Sequence, residues 1–173
     1  MALLDLKRLT GSHLTPYRRL GADAPIPDSG AILVTPERFT TDAALLAKRS
    51  DAVGLLLTSD VRLEDLPVDP ARFPLIAIET ETFNDGRIFS LAWRLRQQWT
   101  YEGEIRAIGK VIADFAGFLL RAGVSSVEVE EDRVIDSMCR QLGLYGVWYQ
   151  DALDARPTAL ELRHGRTRRR LAS

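Results

Sequence analysis

Cysteine and histidine are scarce in this chain, which has one cysteine and two histidines among 173 residues. A single cysteine forms no internal disulfide and supplies no cysteine-rich metal site. Cys139 also falls on the apolar stripe of a predicted helix, which is typical of a core thiol. With only His13 and His164, the ligands of a zinc site or the base of a Ser-His triad are hard to assemble. We therefore expect no metal site and a reducing, cytoplasmic setting.

Long hydrophobic runs are absent as well. The longest apolar runs, such as VGLLL and FLL, fall far short of the roughly 18 residues that span a bilayer. The start, MALLDLKRL, lacks the apolar core and cleavage site of a signal peptide. No G-x-G-x-x-G follows a strand and no P-loop occurs, so nucleotide binding through those motifs has no support. These absences predict a protein without membrane contact and without an evident cofactor.

Positive charge is concentrated at one end of a chain whose net charge is −1. The rest of the chain is acidic and would repel nucleic-acid phosphates, so we expect no nucleic-acid binding. We predict that residues 156–173 form a disordered basic tail, or alternatively a docking strip for an acidic partner. The arginines in the last eleven residues are Arg163, Arg166, Arg168, Arg169 and Arg170.

Short apolar runs alternate with helical patterns along most of the chain. This alternation predicts an α/β fold of repeated βα units, with a mainly parallel sheet of about six strands in a single domain over residues 31–155. An irregular N-terminal arm, residues 1–30, precedes it, although its start could be a short helix or a strand. The predicted strands are residues 31–35, 53–57, 75–79, 103–108, 126–130 and 145–149.

Two arrangements of this sheet remain open. The first three strands are nearly continuous apolar runs, as expected for strands buried on both faces. The fourth and fifth alternate, with Glu104 and Arg106 on one side and Glu128 and Glu130 likewise on one side. We prefer an open doubly wound sheet, because six units are too few for an eight-unit closed barrel. A partial (βα) barrel, completed by homodimerisation, is the alternative.

The stretch over residues 82–123 is the richest in candidate functional residues. A turn at residues 84–86 precedes a predicted helix, and it lies at the carboxyl ends of the strands, where sites form in either arrangement. Asp85 is one candidate for proton transfer. Arg87 and Ser90 are placed to bind an anion or a partner beside the free N–H groups of the helix. The alternative is that Asp85 only caps the helix and Arg87 is a surface cation.

Further charged residues follow this helix. Glu104 is the second candidate for proton transfer, with Arg106 as its orienting cation or as an anion ligand. Because both project from the same face of a predicted strand, an internal ion pair is the favoured interpretation. Lys110 and Asp114 share a face of the next predicted helix with Gly117, and we include both among the candidate anion-binding or partner-binding residues.

A pattern in this stretch resembles a known family. The string F-x-D-G-R-x-[FY]-S-x-A spans residues 83–92, and Y-x-G-E-x-R-A-x-G spans residues 101–109, with Asp114 beyond it. Together they resemble the DUF934 family, small bacterial proteins of unknown function. The order of strands and helices extends the resemblance over residues 31–150.

The resemblance implies a role in sulfate assimilation, because the genes of family members lie beside those of assimilatory sulfite or nitrite reductase and phosphoadenosine phosphosulfate reductase. Some members carry an oxidoreductase label. This chain has Trp93 where the family has Arg, Lys110 for Asp, Phe115 for a common Gln and Ala122 for a common Cys. The missing cysteine counts against any family mechanism that needs a thiol, and it weakens the oxidoreductase label.

Three hypotheses follow, and they leave open whether the protein is an enzyme. The first is a non-catalytic accessory protein that supports sulfite reductase, or another enzyme of sulfate assimilation, by docking or electron delivery. The second is a small enzyme that acts on an anionic metabolite, with Arg87 and Arg106 binding the anion and Asp85 or Glu104 moving protons. The third is a flavin or nicotinamide oxidoreductase, for which the sequence has no cofactor motif.

Overall fold

The chain forms a seven-stranded, mainly parallel sheet with helices between the strands. A computed structural model describes residues 2–11, 13–154 and 156–164. The strands are β1 (Ala2–Asp5), β2 (Arg18–Arg19), β3 (Ile32–Val34), β4 (Val53–Thr58), β5 (Leu75–Thr80), β6 (Glu104–Gly109) and β7 (Ser126–Val129). The helices are α1 (Pro36–Thr41), α2 (Ala43–Leu46), α3 (Arg87–Gln97), α4 (Ala116–Arg121), α5 (Asp132–Leu144) and α6 (Ala159–Arg163). The predicted α/β class is confirmed.

The strand order decides between the two predicted arrangements. The order across the sheet is β1-β7-β6-β5-β4-β3-β2, so each parallel strand from β2 to β7 lies beside its neighbour in the chain. A doubly wound sheet instead reverses its strand order at a switch point. The consecutive order forms an open half-barrel, which is the partial-barrel alternative. Among the strands described, only β1 is antiparallel, and it lies at one edge of the sheet against β7.

The two faces of the sheet bury different side chains. On one face, alternate residues of β4 to β7, such as Leu55, Ile76 and Ile105, pack against α3, α4 and α5 in the main core. The opposite face, which we call the inner face, carries a smaller apolar cluster around Leu56 and Ala77 together with Glu104, Arg106 and Glu128. The polar side predicted for residues 103–108 and 126–130, which are β6 and β7 in the structure, is therefore present.

The N-terminal segment contributes two strands to the sheet, although its irregular sequence pattern predicted an arm outside the domain. β1 pairs with β7 and β2 pairs with β3, so both sheet edges come from the first nineteen residues. Between these strands the chain crosses the inner face. There the Tyr17 ring packs against the smaller apolar cluster, and the Thr15 carbonyl accepts a hydrogen bond from Arg106. The chain thus covers part of its own inner face.

Two local predictions are wrong. Residues 145–149 form no strand, and only Trp148 makes an isolated bridge, to Thr158, because its ring packs on Phe118 of α4 instead. The helix predicted from residue 110 begins later, as a 3-10 turn at Ala113–Phe115 followed by α4.

The predicted basic tail is described only as far as residue 164. Its described part contains α6, which starts at a capping box in which Thr158 and Glu161 satisfy each other's backbone N–H groups. The remaining arginines lie outside the described residues, so a disordered tail stays a prediction. Among the residues described, no helix has the length and apolar character needed to cross a membrane.

Candidate functional site

Two carboxylate-arginine pairs hold four of the seven predicted site residues. One pair, Asp85 with Arg87, lies at the carboxyl rim, by which we mean the residues that directly follow β4 to β7. The other pair, Glu104 with Arg106, lies on β6 at the inner face. The two pairs differ in their surroundings, and each is described in turn.

The rim pair is built by the turn before α3. Asp85 Oδ1 accepts hydrogen bonds from the Arg87 backbone N–H at 3.1 Å and from Arg87 Nε at 2.8 Å, while Oδ2 accepts one from Nη2 at 2.8 Å. Gly86 is the N-cap and offers no side-chain cap, so the Asp85 carboxylate satisfies a free N–H of the first turn. The fork of Arg87 matches both carboxylate oxygens, which is the strong bidentate geometry.

Ser59, at the end of β4, is the third member of the rim group. Its hydroxyl is buried and donates a hydrogen bond to Asp85 Oδ2. The side-chain bonds from Arg87 and then Ser59 hold the pKa of Asp85 well below its ordinary value of 3.8. Asp85 is therefore a fixed anion at neutral pH, and it is a weak base toward the Ser59 hydroxyl.

Acidic side chains outnumber cations around this pair. The Asp85 carboxylate, followed by Asp60 and Glu81, raises the pKa of Arg87. Asp60 itself has a lowered pKa, chiefly because the Thr58 side chain hydrogen-bonds to it. An incoming anion would have to displace Asp85 and approach two further carboxylates, so this part of the rim favours a cationic partner over a free anion.

A pocket of about 270 Å³ opens beside the same rim. Gly109 ends β6 at φ +89°, and a Cβ there would stand 2.4 Å from the Thr80 carbonyl oxygen, so only glycine fits this turn. The turn brings Lys110 to the pocket, where the Phe83 ring is 62% exposed. The lining residues are Phe83, Gly109, Lys110, Val111, Ile112, Val129, Glu130, Glu131 and Val134.

The arginine of the inner-face pair is fully enclosed, whereas the Glu104 side chain is partly exposed. Glu104 Oε1 accepts hydrogen bonds from Arg106 Nε at 2.9 Å and Nη2 at 2.8 Å, and the Ser126 hydroxyl donates to the same oxygen. Arg106 has no exposed surface, because the Tyr17 ring lies 5.6 Å from its guanidinium and the Thr15 carbonyl caps Nη2 at 3.0 Å. The favoured interpretation of an internal ion pair is confirmed.

Glu128 adds a second carboxylate to this enclosed group. Its Oε2 lies 3.7 Å from Arg106 Nη1, which has no hydrogen-bond partner among the residues described. Burial raises the pKa of Glu128 above its ordinary value of 4.5, although the charge of Arg106 opposes the rise. One arginine thus faces two carboxylates in a region with little water.

The remaining predicted residues lie elsewhere. Ser90 is exposed on α3, where it lines a shallow pocket with Trp93 and Arg94. Asp114 accepts a hydrogen bond at 2.9 Å from Gln141 of α5. Arg106 is sealed under Tyr17, whereas Asp85 and Arg87 stand at the rim, so the seven residues are not gathered around one hollow. Their functional roles stay predictions.

Sequence reasoning missed several members of both groups. Ser59 was missed because its contact with Asp85 joins residues 26 positions apart. Thr15 and Tyr17 carry no local signal, because they meet Arg106 only through the fold. The alternation of polar and apolar residues along its strand did place Glu128 on the polar side of the sheet. No cluster of three metal-ligating side chains occurs within the described part of the chain.

Comparison with known proteins identifies the family and nothing more specific. The family model described as a bacterial protein of unknown function (DUF934) matches residues 54–160. That range runs from β4 into α6, and it contains both carboxylate-arginine pairs. Neither the curated proteins nor the solved structures gave a significant match. Because the model covers more than half of the 173 residues, the chain belongs to the DUF934 family.

Proposed function

We propose that this DUF934 protein is a non-catalytic accessory protein of assimilatory sulfate and sulfite reduction, which supports cytoplasmic sulfite reductase by docking to it. The pathway is what the family resemblance implies. The non-catalytic character is supported by one observation: both candidate proton-transfer residues are committed to arginines within the chain.

Neither carboxylate is suited to acid-base chemistry. A catalytic acid or base works best with a pKa near the operating pH. Hydrogen bonds from Arg87 and Ser59 hold the pKa of Asp85 far below neutral pH. Glu104 accepts hydrogen bonds from Arg106 and from the Ser126 hydroxyl, and Arg106 is sealed beneath Tyr17 and Thr15. The ion pairing of both carboxylates thus favours binding over turnover.

The rim supplies residue types that anchor protein interfaces. Phe83 is a largely exposed aromatic ring, and Arg87, whose side chain is 62% exposed, lies four positions along the chain. Aromatic side chains and arginine dominate interface hot spots. The neighbouring acids at the rim favour a partner surface with basic residues around an apolar socket. They are Asp60, Glu81, Glu130 and Glu131.

A gene deletion tests the pathway. We expect the deletion strain to grow on cysteine but to fail on sulfate and on sulfite as sole sulfur sources, because electron delivery or assembly at sulfite reductase is impaired. Growth on sulfate at the wild-type rate would remove the pathway assignment. Rescue by sulfite would move the function to an earlier step.

Co-purification tests docking at the rim. Tagged wild-type protein should retain sulfite reductase at low salt, and Phe83→Ala should lose most of it. Trp93→Ala is the matched control, since Trp93 is also an exposed aromatic residue but lies on α3 away from the turn. Equal retention by both variants would exclude Phe83 as the anchor.

A small enzyme acting on an anionic metabolite is the second candidate. It is favoured by Lys110, which lines the rim pocket without an ion-pair partner among the residues described. In that case sulfite, sulfate or a nucleotide sulfate should raise the melting temperature of the wild type but not of Lys110→Ala. No shift with any of the three would dismiss this candidate.

A further inference from the structure

The pocket at the carboxyl rim carries two unpaired charges of opposite sign. Lys110 directly follows β6 and Glu130 directly follows β7, and both residues are exposed and line the pocket. Within the described part of the chain neither forms an ion pair, whereas Glu131, the third charged lining residue, pairs with Arg133. Lys110 and Glu130 are therefore the charges that the pocket offers to a ligand.

The sheet holds these two residues at the same level. In the parallel pairing of β6 with β7, Ala107 lies opposite Val127. Continuing this register by three residues on each strand places Lys110 beside Glu130. Neighbouring strands lie about 4.8 Å apart, which is close enough for long side chains to meet. Because the two charges lie side by side and no ion pair joins them, both stay available to a bound molecule.

The backbone around this pocket is fixed. The Lys110 N–H donates to the Thr80 carbonyl at 2.9 Å, and the Val111 N–H donates to the Gly109 carbonyl at 2.9 Å. On the side of β7, Val129 is 4% exposed and belongs to the main core. The pocket is thus formed before a ligand arrives, so that binding requires little ordering of the protein.

Most of the remaining lining is apolar. Val111 and Val134 are partly buried against the main core, and the Phe83 ring stands exposed at the mouth. A ligand that fills this space must therefore carry an apolar group beside its charges. The volume of about 270 Å³ lies below the range of roughly 300 to 1,000 Å³ that holds drug-sized molecules. The ligand is accordingly small.

The two charges narrow the class of ligand. A simple anion would be attracted by Lys110 but repelled by the Glu130 carboxylate beside it, and a simple cation would meet the reverse arrangement. A molecule with both a carboxylate and an ammonium group satisfies both residues through charge-assisted hydrogen bonds. An α-amino acid carries these two groups on one carbon atom, and its side chain supplies the apolar group.

We infer that the rim pocket binds a free α-amino acid with an apolar side chain. Lys110 donates to its carboxylate, and Glu130 accepts from its ammonium group. The apolar side chain packs against Phe83, Val129 and Val134. The inference does not depend on docking to sulfite reductase, because ligand binding is measured on the isolated chain. It differs from the anionic metabolite of the second candidate function, which has no use for Glu130.

Calorimetric titration of the full chain with leucine, methionine and phenylalanine tests the inference. We expect at least one of them to bind saturably at one site per chain. For the amino acid that binds best, the amide lacks the carboxylate and the N-acetyl derivative lacks the ammonium group. Each derivative should bind roughly tenfold more weakly, because one charged contact is lost. Failure of all three amino acids to bind, or undiminished binding of either derivative, would overturn the inference.

Variants locate the binding. Lys110→Gln and Glu130→Gln should each weaken it roughly tenfold, and both should fold because the side chains are exposed. Lys48→Gln and Glu102→Gln are the matched controls, since they remove the same charges from exposed positions outside this pocket. Binding by Lys110→Gln or Glu130→Gln as tight as by its control would overturn the inference. A melting temperature raised by sulfate through Lys110, without binding of any amino acid, would contradict it in favour of the second candidate function.

Discussion

The rim pair and the inner-face pair join the same two kinds of group at the same sequence separation, yet their arginines lie in opposite surroundings. Asp85 meets Arg87 and Glu104 meets Arg106 through hydrogen bonds of 2.8 to 2.9 Å. The Arg87 side chain is 62% exposed, whereas Arg106 has no exposure. Bond length does not distinguish the pairs, so their contributions to stability are set by solvation.

The difference arises from the elements that carry each pair. Arg87 is the first residue of α3 and points from a turn into solvent. Arg106 projects from the middle of β6 onto the inner face, where the N-terminal segment covers it. An exposed arginine remains available to a partner, whereas an enclosed arginine is part of the architecture. Four experiments test this distinction, from the largest expected effect to the smallest.

Removing the enclosed cation should have the largest effect. Arg106→Ala leaves the Glu104 and Glu128 carboxylates in a buried region without their counter-charge, and breaking a buried pair in this way costs about 3 to 5 kcal/mol. Urea unfolding of the full chain measures the loss. Arg87→Ala is the matched control, and its free energy of unfolding should stay near that of the wild type. Equal stability of the two variants would erase the distinction between the pairs.

Opening the cover should have the next largest effect. Tyr17→Ala removes a ring that packs on the smaller apolar cluster and shields Arg106, so we expect a loss of about 1 to 3 kcal/mol, less than for a fully buried aromatic. Amide hydrogen exchange in β6 should also become faster. Tyr149→Ala, which removes an exposed ring, serves as the comparison and should change neither quantity.

Glu128 should give the enclosed group a distinctive pH dependence. Its raised pKa means that the folded protein holds this proton more tightly than the unfolded chain does. Its contribution to stability is therefore complete below about pH 4.5 and is lost as the pH rises through the higher pKa of the folded state. We would measure the free energy of unfolding of the wild type and of Glu128→Gln between pH 4 and 7. The stability of the wild type relative to the variant should fall as the pH rises. A constant difference would contradict this assignment.

Asp85 should show the opposite trend, with an amplitude that solvent screening of its exposed arginine reduces. Its lowered pKa gives a contribution that is present above the ordinary value of 3.8 and is lost as the pH falls toward the folded-state pKa. Asp85→Asn should therefore be slightly less stable than the wild type at pH 7, and the difference should narrow below pH 3.8. Thermal melts at several pH values measure this, and a difference that widened in acid would contradict it.

Local pattern was sufficient for much of the fold. Five of the six predicted strands formed, because short apolar runs bounded by polar turns allow few other structures. The sixth run, residues 145–149, is also apolar and aromatic, but it forms no strand and its Trp148 ring packs against Phe118 and Arg121 of α4. Periodicity reports that a side chain will be buried or packed, and it does not say against which element.

One of the two pairs was predictable, and the assembly of the site was not. The alternation along β6 placed Glu104 beside Arg106, whereas the pairing of Asp85 with Arg87 was not predicted, because these residues were interpreted as a helix cap or proton-transfer group and as an anion ligand. The strand order was not predictable, because parallel crossovers of similar length serve both doubly wound and barrel-like sheets. The strand order placed one pair at the carboxyl rim and the other on the inner face of the sheet.

Sequence alone determined the α/β class, the pairing of Glu104 with Arg106 and the family, because each depends on neighbours along the chain. Only the tertiary structure decided that Arg87 stays in water and that Arg106 is sealed. The cover over Arg106 comes from Thr15, 91 positions away, and such a contact forms only when burial of the whole core offsets the entropy of closing so long a loop.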